Sequence, residues 1–135
     1  MALTDSPRRR EVWLVALGAG RGGEPGETRP AVVVSEDELT TGAEGELIVV
    51  VPLSSSLAPS ALRVDVAPIA GIDRPSRAVC RAVRAVVSSR FERRIGSVDQ
   101  ATMEHIETAL ALIFGLDRRP VARLGAGTEA SPLAS

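Results

Sequence analysis

The six residues 30–35, PAVVVS, constrain the fold more than any other stretch of the chain. Consecutive β-branched valines are stiff at χ1 and favour extended backbone. An unbroken apolar run too short for a helix reads as a strand buried on both faces. Segments of similar character surround it. Residues 11–17 (EVWLVAL) read as a strand, and so do residues 46–53 (ELIVVVPL), broken near Pro52. Residues 61–67 alternate Leu62, Val64 and Val66 with Arg63 and Asp65, the period of a half-buried strand. Residues 79–87 alternate as well, which predicts one strand with Val79, Arg81, Val83 and Ala85 on one face and Cys80, Ala82, Arg84 and Val86 on the other. Residues 91–98 form a further short strand or turn.

Loops separate these segments. Residues 18–28 (GAGRGGEPGET) hold five glycines and a proline and predict an extended loop. Residues 36–45, 54–60 and 69–77 are the others. The spacing changes after residue 97. Ser97-Val98-Asp99-Gln100 fits the S-x-x-Q capping box. Met103, Ile106, Leu110 and Ile113 then recur at helical spacing up to Gly115, which predicts a helix over 99–114. The length of 135 residues suits one domain, which buries a core of this size without a metal or disulfide staple. The expected unit is 10–116, with 1–9 and 117–135 as flexible tails. Short strands followed by a helix give an α+β class, mainly β, with a small antiparallel barrel.

The longest apolar run, residues 47–53, is far below the roughly 18 residues of a membrane span. One cysteine excludes an internal disulfide, and the start MALTDSPRRR lacks an apolar signal core. A reduced, cytoplasmic setting is expected, with no membrane contact. Net charge is only −1, but it is segregated. Residues 24–46 carry seven acids against Arg29, a balance of −6, whereas residues 63–94 carry eight arginines against three acids, +5. The second region is able to steer a polyanion, or is a solvated face that balances the first. Every cation is an arginine, suited to bidentate phosphate contact. With only Trp13, Phe91 and Phe114 as aromatics, binding RNA by stacking many bases is not expected.

One cysteine and one histidine leave too few ligands for a zinc site. His105 lies off the apolar stripe of the helix, and Cys80 sits mid-strand as a small hydrophobe, so neither forms a nucleophilic pair. The glycine loop lacks the lysine and Ser/Thr of a P-loop. What remains is Arg29-Pro30 at the mouth of the valine strand, where Pro30 biases Arg29 toward extended backbone, and Ser54-Ser55-Ser56 at the end of another. An arginine and a hydroxyl converging on a groove suit phosphodiester chemistry, stabilising charge that develops on the phosphate. The plainer alternative is an ion pair from Arg29 to a loop acid and a turn of serines.

The strings R-x-E-V-W-L-V-x-L-G, R-G-G-E-P-G-E-T-R-P-A-V-V-V-S and V-V-V-P-L-S-S-S, with Arg93-Arg94-Ile95-Gly96-Ser97-Val98 and the helix that follows, resemble the MazF/PemK/Kid toxins of bacterial toxin–antitoxin pairs. The resemblance implies an SH3-like barrel of the PemK/CcdB type with a C-terminal helix, in a homodimer. It implies a sequence-specific, metal-independent endoribonuclease that cleaves single-stranded RNA to 2′,3′-cyclic phosphate and 5′-hydroxyl ends, with no cofactor. A MazE-like antitoxin would inhibit it, and operator DNA would be bound only through the antitoxin complex. The family's catalytic arginine falls on Arg29, its catalytic threonine on Ser54 and its loop glutamate on Glu24. Thr28, Ser55, Arg81 and Arg84 are expected along the RNA path. Many relatives carry an acid where this chain has Arg81, which leaves the general base unassigned. The alternatives are a gyrase-poisoning toxin of the same fold and a non-catalytic antitoxin-binding relative.

Overall fold

The computed structural model describes residues 6–18, 27–56, 62–69, 72 and 74–116. Seven strands run in chain order: β1 (Glu11–Gly18), β2 (Glu27–Val33), β3 (Leu47–Ser54), β4 (Arg63–Val66), β5 (Ser76–Val79), β6 (Arg84–Val87) and β7 (Phe91–Ser97). One helix, α1 (Gln100–Phe114), follows. The strands order as β4-β5-β3-β2-β1-β7, all antiparallel, with β6 also on β3. The mainly β, α+β class expected from the sequence is the one observed.

The valine segment is central. β2 lies between β1 and β3, and residues 31–34 alternate strictly between two apolar clusters. Val32 and Val34 join Val12, Val51, Leu53, Met103 and Ile106 on the helix side. Ala31 and Val33 join Trp13, Val15, Ile48, Val50 and Phe91 on the other. Burial on both faces explains why no polar residue interrupts the run. In the second cluster the Trp13 and Phe91 rings meet edge to face at 5.9 Å.

β3 does not break at Pro52. Val49 accepts from Val34 on the β2 side, so alternation turns the Pro52 nitrogen toward the opposite edge. There the partner changes from β6, ending at Val50↔Arg84, to β5, starting at Leu53↔Ala78. No ladder bond is lost where proline has none to give.

The same change of partner overturns the single strand expected at 79–87. Between Val50 and Leu53, β3 advances three residues while its partners advance six. The surplus is looped out as a 3₁₀ turn, Cys80–Ala82. Cys80 points inward, Arg81 and Ala82 are exposed, and the two-residue alternation is lost. Arg81 therefore does not share a strand face with Val79, Val83 and Ala85.

Two further expectations change. Residues 6–9, read as part of a tail, are tied down: Ser6 and Pro7 are buried. The Arg9 guanidinium bonds the Val34 carbonyl and Glu107, and its amide donates to Asp37 Oδ1 at 2.7 Å. The tail at 117–135 lies outside the described residues. Second, the helix is capped by Asp99, not Ser97. Ser97 is held in β7 opposite Glu11, and Gln100 bonds Glu104 instead of reaching back. Asp99 Oδ1 accepts from the Thr102 amide at 2.8 Å, and Gly115 closes the helix at φ 72°, where a Cβ would be strained.

The Thr102 amide, before all else, holds the Asp99 carboxyl below its ordinary value. The cap's stabilisation is thus complete above the unfolded aspartate value of about 3.9 and fades as pH falls through the lower folded value. Asp99→Ala is expected to lower the melting temperature at pH 7 and Asp99→Ser to restore most of it. The gap between the unaltered protein and Asp99→Ala should shrink in acid. Equal melting temperatures at pH 7 would remove the cap from the stability of α1.

Candidate functional site

Glu27 and Thr28, expected in the glycine loop, belong to β2, which lengthens the extended stretch before Pro30. The consequence is an alignment just beyond the last paired residues of β2 and β3. The β2–β3 ladder ends at Ala31↔Pro52, and the same register carried two residues further sets Arg29 across from Ser54. Opposed residues share a face of the sheet. Ser54 in turn pairs with Arg77 on β5, and Arg77 with Asp65 on β4, so Ser54, Arg77 and Asp65 form a transverse polar row whose extension meets Arg29.

An open cavity of about 340 Å³ lies where the ladder stops. Leu53, Ile72 and Pro30 supply its apolar walls, and Arg29, Arg74, Ser54, Ser55 and Ser76 its polar groups. Arg29 Nε donates to Glu27 Oε2 at 2.6 Å, while Ser54 Oγ accepts from the Ser56 amide at 3.1 Å. The plain ion pair and the serine turn are thus both present, and the two groups still share one cavity. The pairing occupies Nε and leaves the outer Nη fork of Arg29 as the group able to meet a phosphate in two places.

The other expected residues divide. Ser55 lines the cavity. Thr28 is exposed and follows Arg29's neighbour Glu27 on the alternate face of β2. Arg81 is exposed on the 3₁₀ turn, without an ion pair to another described residue. Arg84 is exposed at the start of β6, opposite Val50, about 13 Å along β3 from Ser54 by strand rise. Neither arginine lines the cavity. Glu24 lies outside the described residues. His105 is exposed on α1, and the Cys80 thiol is buried, its pKa pushed up to about 11 by desolvation. At neutral pH it is a protonated, inert thiol.

Arg74 and Ser76 were missed. Their signal was available: Arg74-Pro75 repeats the Arg29-Pro30 pair, the one just before β5 and the other inside β2.

The family model for the PemK-like, MazF-like toxin of type II toxin–antitoxin systems matches residues 8–114. A Mycobacterium tuberculosis protein named Endoribonuclease MazF9 is 34% identical over 115 residues, covering 81% of this chain and 97% of that protein. Among solved structures, the Mycobacterium tuberculosis toxin MazF-mt6 superposes with a TM-score of 0.67 at 18% identity, over 80% of this chain and 99% of that one. An endoribonuclease in complex with its cognate antitoxin from a mycobacterial species gives 0.65 at 23% identity, over 82% and 97%. With a family match across nearly all of the folded region, the chain belongs to the PemK-like, MazF-like toxins of type II toxin–antitoxin systems.

Proposed function

We propose that this protein is a toxin that cleaves single-stranded RNA without a metal ion, at sites selected by sequence. The observation that carries the reading is that Arg29 and Ser54 line one open cavity, just past the last paired residues of β2 and β3. The 2′-hydroxyl of the RNA attacks the adjacent phosphorus and gives up its proton. The bond from phosphorus to the 5′-oxygen breaks, that oxygen takes up a proton, and a 2′,3′-cyclic phosphate remains. The Arg29 fork stabilises the charge that builds on the phosphoryl oxygens, and the Ser54 hydroxyl donates to one of them. Arg74 adds a second cation to the same cavity. Arg84, Arg81 and Thr28 bind RNA further along its path. Glu24, outside the described residues, is the candidate for the base.

A MazE-like antitoxin restrains this activity, as the relative solved with its cognate antitoxin suggests. Operator DNA is bound only through that complex. The toxin acts in the cytoplasm as a homodimer. Leu112 on the last turn of α1 and Leu116 just past its glycine cap are both exposed, apolar surface for such an interface.

Incubation of the purified protein with a long single-stranded RNA in EDTA tests the reaction. Internal cuts are expected, with cyclic phosphate on the upstream fragment and a 5′-hydroxyl on the downstream one. Ser54→Ala is expected to slow cleavage, and Ser54→Thr, which keeps the hydroxyl, to retain much of it. Loss of activity in EDTA, or 5′-phosphate ends, would overturn the mechanism. No cleavage under any condition would point to a toxin that acts by binding protein.

A further inference from the structure

A second cavity, of about 750 Å³, adjoins the first, and Ser76 is common to both. It lies at the β4 edge beside α1, with Arg63, Asp65, Arg77, Thr102 and His105 among its walls. Nothing in the reaction above uses it. One atom of its lining residues is anomalous: Arg63 Nη1 is buried and has no hydrogen-bond partner among the described residues. Buried guanidinium N–H groups are costly to leave unpaired, because they lose water without gaining an acceptor. The acid in the wall does not relieve it. Asp65 accepts from Arg77 Nε at 3.0 Å and is otherwise solvated. Asp65 offsets Arg77, the Arg63 charge is left over, and the cavity therefore favours an anion.

Register ties this cavity to the first. Ser54 faces Arg77, Arg77 faces Asp65, and Arg63 lies two residues from Asp65 on β4. Residues of that parity share the face that carries Arg29. Two strand spacings and two residues of rise separate the α-carbons of Ser54 and Arg63 by about 12 Å. Deepening the ribonuclease reading, on which this inference rests, we propose that the Arg63 cavity holds a neighbouring phosphate of the same RNA strand whose scissile phosphate sits between Arg29 and Ser54. The contact is to backbone, so it fixes the register of the strand and does not select a base. Nη1 is buried as it stands, so a rotation of the Arg63 side chain has to present its planar fork to the phosphate.

Binding of mixed-sequence 2′-deoxy oligonucleotides, which lack the attacking hydroxyl, tests the proposal. A dinucleotide has one bridging phosphate and fills one cavity; an octanucleotide spans both. Arg63→Gln is expected to weaken octanucleotide binding about tenfold, the scale of a hydrogen bond to a charged group. It is expected to flatten the salt dependence of log K by about 0.7. Dinucleotide binding should change by less than about twofold, whereas Arg29→Ala should weaken both probes. The melting temperature of Arg63→Gln should equal or exceed that of the unaltered protein, since no bond to Nη1 is lost.

Equal losses on both probes, or an octanucleotide affinity and salt slope that stay put, would overturn the second subsite. A lowered melting temperature with an unchanged slope would overturn it too, and assign Arg63 to the fold. If the unaltered protein binds neither probe, the ribonuclease reading falls with it. If it binds and cleaves RNA while Arg63→Gln is silent, only the subsite falls.

Discussion

Arg29→Ala is expected to reduce RNA cleavage by a factor of about 10²–10³, the scale for removing one preorganised donor to a developing charge. The effect should appear in the rate and leave the fold intact. Arg29 is 42% exposed and its partner Glu27 55%, and ion pairs with that exposure contribute little to stability. A melting temperature within a few degrees of the unaltered protein, measured on the same sample, therefore separates lost chemistry from lost structure. Arg29→Lys is expected to recover only part of the rate. An ammonium restores the charge without the planar fork, and Glu27 beside it would compete for the charge. Single-turnover cleavage of a defined RNA is the measurement. An unchanged rate for Arg29→Ala would remove this residue from the mechanism and, with it, the reading of the Arg29 and Ser54 cavity as a cleavage site.

Ile106→Ala is expected to cost about 2–5 kcal/mol of folding stability. Ile106 is fully buried on α1, in the cluster where the helix meets Val12, Val32, Val51 and Leu53. The loss combines the transfer of the deleted carbons with the cavity they leave. Against the roughly 5–15 kcal/mol typical of a domain, it is a large share of the total. Urea denaturation reads it as a lower midpoint with an unchanged slope. Leu112→Ala, on the exposed side of the same helix, should stay within about 0.5 kcal/mol in the monomeric state. A cost for Ile106→Ala as small as that for Leu112→Ala would mean that α1 does not close the core.

The valine run of β2, the helix over Met103 to Ile113 and the extended backbone at Arg29-Pro30 were all legible in the sequence. Each follows from rules that act within a few residues: χ1 stiffness, the 3.6-residue period and the steric clash before proline. The helix cap was less so, because both Ser97 and Asp99 are good caps. The choice was made by β1, which takes the Ser97 backbone into the sheet through Glu11.

What the tertiary structure decided lies in β3 and its partners. The alternation at 79–87 fits one continuous strand as well as two strands joined by a turn. The difference is set by the register on a strand some thirty residues earlier in the chain. That register sends Arg81 to an exposed turn and moves Arg84 away from the cavity. It also brings Arg74 and Ser76 in beside Arg29 and Ser54. Local preference fixes the backbone angles of each segment, but the pairing of distant strands fixes which side chains face one another, and a site made of residues from β2, β3 and β5 exists only once that pairing is formed.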